Sequence, residues 1–300
     1  MDDSEMYLKT QQLAEALGVS SSSVKRWVDK GAIPATKTMG KHRLVALSSA
    51  LKFARDGKYP TANLLALSAR PAIDAIDDRV VDDLVRALMG GRAREASAIV
   101  ASASAAGRDA SALADDLIRP VMERVGHLWM VGAWEIYQEH QATQILVSAL
   151  LDLIRQVSRD DTPGRPVAIG AAPEGDVYTL PILLGELVLR EGGWDVRNLG
   201  SDLPFRSMAS AIREYRPRLV FLSASLIPDR GRFLQEYSYL YEAATQAGAA
   251  IILGGRGFDA QLRSRLVYAS FGERMAHLAE FARRLHPATE ATVDPGSHQA

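Results

Sequence analysis

Apolar residues recur along this 300-residue chain at two periods, and the change between them divides it into three stretches. From Asp77 to Val157 they follow a helical spacing. The pattern predicts helices over Val80–Met89, Arg92–Ser104, Ser111–Leu128 and Trp134–Val157, broken at Gly90-Gly91, Ala106-Gly107 and Val131-Gly132. Short loops between four such helices predict an antiparallel four-helix bundle. After Thr162-Pro163-Gly164 the pattern becomes an alternation. Short apolar strands are expected at Pro166–Gly170, Trp194–Leu199, Leu219–Ser225, Ala249–Leu253 and near Leu266–Tyr268. Helices are expected over Pro181–Glu191, Phe205–Tyr215, Phe233–Ala247 and Glu273–Leu285. Strand–helix alternation of this kind gives an α/β, doubly wound parallel sheet that binds its ligands beyond the C-terminal strand ends.

The first stretch is shorter and more polar. Thr10 is an N-cap for a helix through Leu17, with Gly18 at its end. Ser20 caps a second helix, Ser21–Lys30, which stops at Gly31. Leu13, Leu17, Val24, Trp27 and Val28 can form a small core, which leaves Ser21, Ser22, Lys25 and Arg26 outward. Short hydroxyls and cations at the start of a second helix suit phosphates and base edges. The Met39-Gly40 turn predicts a hairpin wing with Lys41, His42 and Arg43 at its tip or returning strand, and a helix over Ser48–Arg55 closes the unit.

Charge sharpens this picture. Residues 1–58 hold ten Lys/Arg against six Asp/Glu, a net +4, so the remainder carries −5 of the overall −1. A basic head on an acidic body suggests a polyanion partner. The hydrophobic share of 47% supports packed cores, and the absence of cysteine excludes disulfides and thiolate metal sites. No run approaches the roughly 18 apolar residues of a membrane span. The N-terminus is acidic where a secretory signal is basic, so a soluble, cytoplasmic protein is expected.

The candidate chemistry gathers in one segment. Trp129 precedes the Gly132 break and can fold back over the start of the last bundle helix, where Glu139 and His140 are adjacent. Glu135, Glu139 and Thr143 share one face of that helix, and Ile136, His140 and Gln144 another. The second and third bundle helices carry no obvious catalytic group, and His127, His277 and His286 read as isolated surface or packing residues. In the sheet region the loops at 171–180, 200–204, 223–228 and 254–258 gather on one edge, and the paired Gly254-Gly255 let a ligand approach the backbone. Neither a GxGxxG pattern nor a P-loop is present.

Residues 6–56 resemble the winged-helix head of the MerR family and its excisionase-like relatives. One such head covers only a half-site, so a homo-oligomer (dimer or tetramer) on double-stranded DNA is implied. The bundle followed by a flavodoxin-like domain resembles the cobalamin-binding module of methionine synthase and of the CarH/LitR light-responsive repressors, which also carry MerR-type heads. Trp129, Glu139 and His140 reproduce that family's Trp and Glu-His spacing. The resemblance implies that Trp129 and Glu139 bound an upper pocket for a deoxyadenosyl group, and that His140 can capture cobalt. Ser223, Ser225, Gly254 and Gly255 match the motifs that cradle the nucleotide tail. The family's lower cobalt ligand is a His in an acid-x-His-x-x-Gly loop. Here Gly175 and Asp176 lead to Tyr178 at the His position and Pro181 at the Gly position. Neutral imidazole ligates cobalt readily near pH 7, whereas a phenol must first lose its proton.

The expected architecture is therefore multidomain: an all-α winged helix-turn-helix head (1–58), a linker (59–76), a helical bundle (77–160), a flavodoxin-like domain (163–287) and a disordered tail (288–300). The resemblance implies a non-enzymatic transcriptional regulator that senses adenosylcobalamin or methylcobalamin, and light through it, by changes in assembly. Binding base-on, through Tyr178, or with His140 as the sole protein ligand all remain open. So do another tetrapyrrole, no cofactor at all, and a corrinoid-carrying enzyme component.

Overall fold

Ser20 begins the second helix because its hydroxyl accepts from the Ser23 amide at 3.2 Å, satisfying one of the donors a helix start leaves free. The computed structural model describes residues 7–17, 19–37, 43–56, 76–157 and 164–286. The Gly18 stop, the Met39-Gly40 turn, Lys41, His42, nearly all of the 59–76 linker and the 288–300 tail lie outside them. The chain forms two compact units, Met1–Asp74 and Ala75–Ala300.

In the first unit α1 (Thr10–Leu17) and α2 (Ser21–Asp29) pack together, and α3 (Leu47–Asp56) follows. Leu8, Leu13, Leu17, Val24, Ile33 and Val45 are buried between them, and Trp27 lies 5.0 Å from Phe53, ring centre to ring centre. The head is not all-α. β1 (Tyr7–Lys9), β2 (Thr36–Lys37) and β3 (Arg43–Ala46) form an antiparallel sheet in the order β1-β3-β2. Leu8 opposite Val45 supplies the apolar pair that holds the first of these strands. A strand of three residues shows one apolar position, too few to reveal a period of two.

The second unit opens with α4 (Asp78–Met89), capped by Asp77, then α5 (Ala93–Ala105). The expected continuous third helix is instead α6 (Ala110–Leu113), a π-helical turn (Ala114–Ile118) and α7 (Arg119–Met130). The turn buries Asp115, a carboxylate that a helix core tolerates only with partners. Those partners are the amides of Met275 and Ala276, each 3.0 Å from one carboxylate oxygen. α8 (Ile136–Val157) packs on α5 and on the sheet region's first helix.

β4 (Val167–Ala171), β5 (Asp195–Asn198), β6 (Leu219–Ser223), β7 (Ala250–Gly254) and β8 (Ser270–Gly272) form a fully parallel sheet in the order β5-β4-β6-β7-β8. The connecting helices are α9 (Leu180–Glu191), α10 (Phe205–Tyr215), α11 (Arg230–Ala247) and the short α12 (Ala260–Arg263); α13 (Met275–Leu285) follows β8. Side chains alternate across the sheet. Ala168, Leu219, Phe221 and Ile252 face a core shared with α9, α13 and the helical half, while Ile169, Val220, Leu222 and Leu253 face α10 and α11. The last strand lies beyond the expected Leu266–Tyr268. Val267 is exposed and its carbonyl accepts from the buried Tyr237 hydroxyl at 2.8 Å, which leaves 270–272 to pair with β7.

Two carboxylates lock the halves of this unit in opposite senses. Asp115 caps α13 from the helical side, and Glu191, at the end of α9, accepts from the Ala110 amide at 2.8 Å. Anionic caps at helix starts also oppose the helix dipole favourably.

Candidate cofactor cavity

The helical half closes over the C-terminal strand ends and leaves a cavity of about 1240 Å³ between them. Its helical wall is a stripe along α7, comprising Arg119, Met122, Glu123, Gly126, His127 and Met130, continued by Trp129 and by Ile136, Glu139, His140 and Thr143 of α8. The opposite wall comes from loops after the strands: Val177–Pro181 after β4, Ser225 after β6, Gly255 and Arg256 after β7, and Glu273 and Arg274 after β8.

The predicted cluster is thus brought together. Trp129 is half-exposed on the wall rather than packed in the core, a place that the fully enclosed Trp134 takes instead. Glu139 accepts from the Thr143 hydroxyl at 3.1 Å, and its second oxygen lies 3.6 Å from Nε2 of the exposed His140. Tyr178, Ser223, Ser225, Gly254 and Gly255 also line the cavity.

Gly175 and Asp176 are not on its wall, and their work is in the loop. Asp176 is almost fully buried, and its oxygens accept from the amides of Tyr178 at 3.0 Å, Ser225 at 2.5 Å and Leu226 at 3.3 Å. One carboxylate therefore ties the loop after β4 to the loop after β6. Gly175 has a φ of +88° and donates its amide to Asp202 at 2.8 Å. Gly255 is also explained from within the chain: with a φ of +100°, a Cβ there would sit 2.4 Å from the Ala224 carbonyl oxygen. Its backbone makes a close approach, but to Ala224.

His127 is not the isolated residue that its sequence context predicts: it lines the cavity with Asp115, Arg119 and Glu123. The four recur every fourth residue, and that stripe of polar side chains on one helical face was the available signal. Next to it, Asp116 has its carboxyl held above the usual range, first by desolvation and then by the Asp115 charge.

In the head, Ser22, Lys25 and Arg26 are exposed and Ser21 is half-buried. Arg43 donates to both oxygens of Asp29 at 3.0 and 3.1 Å, so its guanidinium fastens β3 to the end of α2.

Comparison with known proteins bears on both units. Residues 7–57 match the model of a helix-turn-helix domain. Residues 80–152 and 166–282 match two models, each described as a B12 binding domain. These two matches cover the two walls of the one cavity. Its cofactor is a cobalamin. Half-exposed Trp129 and Tyr178 and the more exposed Met130, around a roomy apolar interior, fit the broad corrin, and the polar side chains at both walls fit its amide fringe.

The HTH-type transcriptional repressor CarA of Myxococcus xanthus is 27% identical over 158 residues, 52% of this chain and 51% of the repressor. The chain thus spans about half the length of that curated relative. The monomethylamine corrinoid protein of Methanosarcina barkeri superposes with a TM-score of 0.58 at 17% identity, covering 69% of this chain and 99% of that one. That likeness is one of fold: a helical region followed by the parallel sheet.

Proposed function

We propose that this chain is a MerR-type transcriptional regulator, not an enzyme, whose winged head binds double-stranded promoter DNA. Its C-terminal module, a four-helix cap on a flavodoxin-like domain, senses cobalamin in the cytoplasm. The observation that carries this reading is a cobalamin cavity built in the same chain as a helix-turn-helix domain. When bound, cobalamin supplies a metal centre with an exchangeable, light-labile carbon ligand, adenosyl or methyl. Trp129, Glu139 and His140 form the wall toward that ligand, with His140 available as a cobalt ligand. Ser223, Ser225, Gly254 and Gly255 border the nucleotide tail, and Gly175, Asp176 and Tyr178 shape the loop below the corrin.

The cavity lies between two halves that share one apolar core and two reciprocal caps, so ligand state can change how those halves present themselves to another copy. A shift between dimer and tetramer then changes how many heads meet DNA together, and linked heads gain strongly through effective concentration. The head contacts DNA through Ser21, Ser22, Lys25 and Arg26, and Lys41 and His42 add to its basic charge, while the Arg43 guanidinium is engaged by Asp29.

The test is the visible absorption spectrum of the full chain after incubation with adenosylcobalamin or methylcobalamin and gel filtration, before and after illumination. Retained colour that changes with light is the expected result. A colourless protein fraction removes the sensor role and leaves only the head. For the head, Arg26→Ala should weaken DNA binding about tenfold across sequences and lower the salt slope by about one. Unchanged affinity at two salt concentrations would overturn the assignment of α2 as the DNA-reading helix.

A further inference from the structure

Resting on the cobalamin assignment, we infer that the cobalt meets the sheet side of this cavity without any nitrogen ligand, from the protein or from the cofactor's own benzimidazole. The donors on the two walls differ. The two imidazoles that line the cavity, His127 and His140, both belong to the helical wall, on α7 and α8. Among the described residues the polar side chains of the sheet wall are Tyr178, Thr179, Ser223, Ser225, Arg256, Glu273 and Arg274, with no imidazole among them. His277, on nearby α13, accepts from the Glu273 amide at 3.1 Å through Nδ1, so that nitrogen is committed to its own turn.

Tyr178 is held in its place. Its amide is fixed by Asp176, its ring is 44% exposed, and the Arg256 guanidinium lies 5.8 Å from the ring centre. Asp176 is turned to the backbone: three amides bond to its two oxygens, which leaves about one acceptor site. What the sheet wall offers the metal is thus oxygen, from the Tyr178 phenol, the neighbouring hydroxyls or the Glu273 carboxylate, and not nitrogen.

The cofactor's tail has a separate destination. Between α9, α13 and the sheet the cavity is floored by Leu184, Phe221, Ile252, Met275 and Leu278. A flat aromatic heterocycle leaves water favourably for such a floor, which draws the benzimidazole away from the metal.

The experiment is electron paramagnetic resonance of the full chain loaded with cob(II)alamin. Its unpaired electron lies along the axial direction, so one axial nitrogen splits each cobalt line into a triplet, and a nitrogen-15 ligand splits it into a doublet. The wild-type spectrum is expected to show no nitrogen splitting. Tyr178→His should introduce a triplet that becomes a doublet when histidine is labelled with nitrogen-15. A wild-type triplet insensitive to that labelling means that benzimidazole is bound to the metal, and overturns the inference. A label-sensitive triplet that survives replacing both His127 and His140 by Gln overturns it as well. One that disappears in that double variant arises from the helical wall and supports it. Failure to retain cob(II)alamin through gel filtration overturns the cobalamin assignment itself, a result distinct from any splitting pattern.

Discussion

Gly170→Ala should cost the C-terminal unit about 3 kcal/mol, the upper part of what overpacking a core commonly costs. It should also weaken cobalamin retention more than tenfold. A Cβ at Gly170 would lie 1.9 Å from Cζ of Phe221 and within 2.6 Å of two further ring atoms. Gly185 on α9 approaches the same ring, with a Cβ position 2.7 Å from its Cε2. Phe221 therefore fills the volume that two absent side chains leave between β4 and α9, and it is buried on the cavity floor. An added methyl must push the ring toward the cavity or push α9 away from the sheet, and either movement deforms the bed of the cofactor. For a unit of this size the thermal midpoint should fall by roughly 6–12 °C. Adding Phe221→Leu should recover most of the stability by removing the colliding atoms. If Gly170→Ala melts with the wild type, or the second change brings no recovery, the packing account of this glycine fails.

The same residues show what sequence can and cannot disclose. The strand–helix alternation after residue 164 was legible because buried parallel strands read as short apolar runs, and four of the five strands fell within a residue or two of their expected places. β8 was misplaced because Leu266 and Tyr268 look as apolar as a strand, while the pairing positions 270–272 include a glycine at their end. The cluster Trp129, Glu139 and His140 was found because those residue types are uncommon so close together on a packed helix. Arg119, Glu123 and His127 escaped because each alone resembles an ordinary solvated position, and only the closure of the helical half over the sheet makes their stripe a wall. Asp176 shows the converse. Its place in a recognisable loop suggested a ligand contact, yet a carboxylate among free amides is satisfied more cheaply by the backbone. Arg43 shows a similar capture: it sits in the predicted wing, but Asp29 is near enough to claim its guanidinium.

Asp115→Ala should loosen the helical half from the sheet half at a cost of roughly 2–4 kcal/mol, because it removes a charged acceptor from two amides at once. Met275 and Ala276 open α13, and the adjoining residues Gly272 to Met275 line the cavity, so the loss falls on the cofactor's wall as well as on the fold. Amide hydrogen exchange reads the effect directly, with the amides of Met275 and Ala276 exchanging much faster while those of β6 and β7 stay protected. Asp115→Asn keeps an acceptor but loses the charge at the helix start, and should fall between the alanine variant and the wild type. Glu191 provides the control for cooperation, since it pins the same two halves from the other direction. If both carboxylates hold one docked arrangement, Asp115→Ala combined with Glu191→Ala departs from additivity by more than 0.5 kcal/mol, about the scatter between independent sites. Strict additivity in urea unfolding would mean that the two caps stabilise their helices separately and do not form one joint through which cavity occupancy moves the helical half.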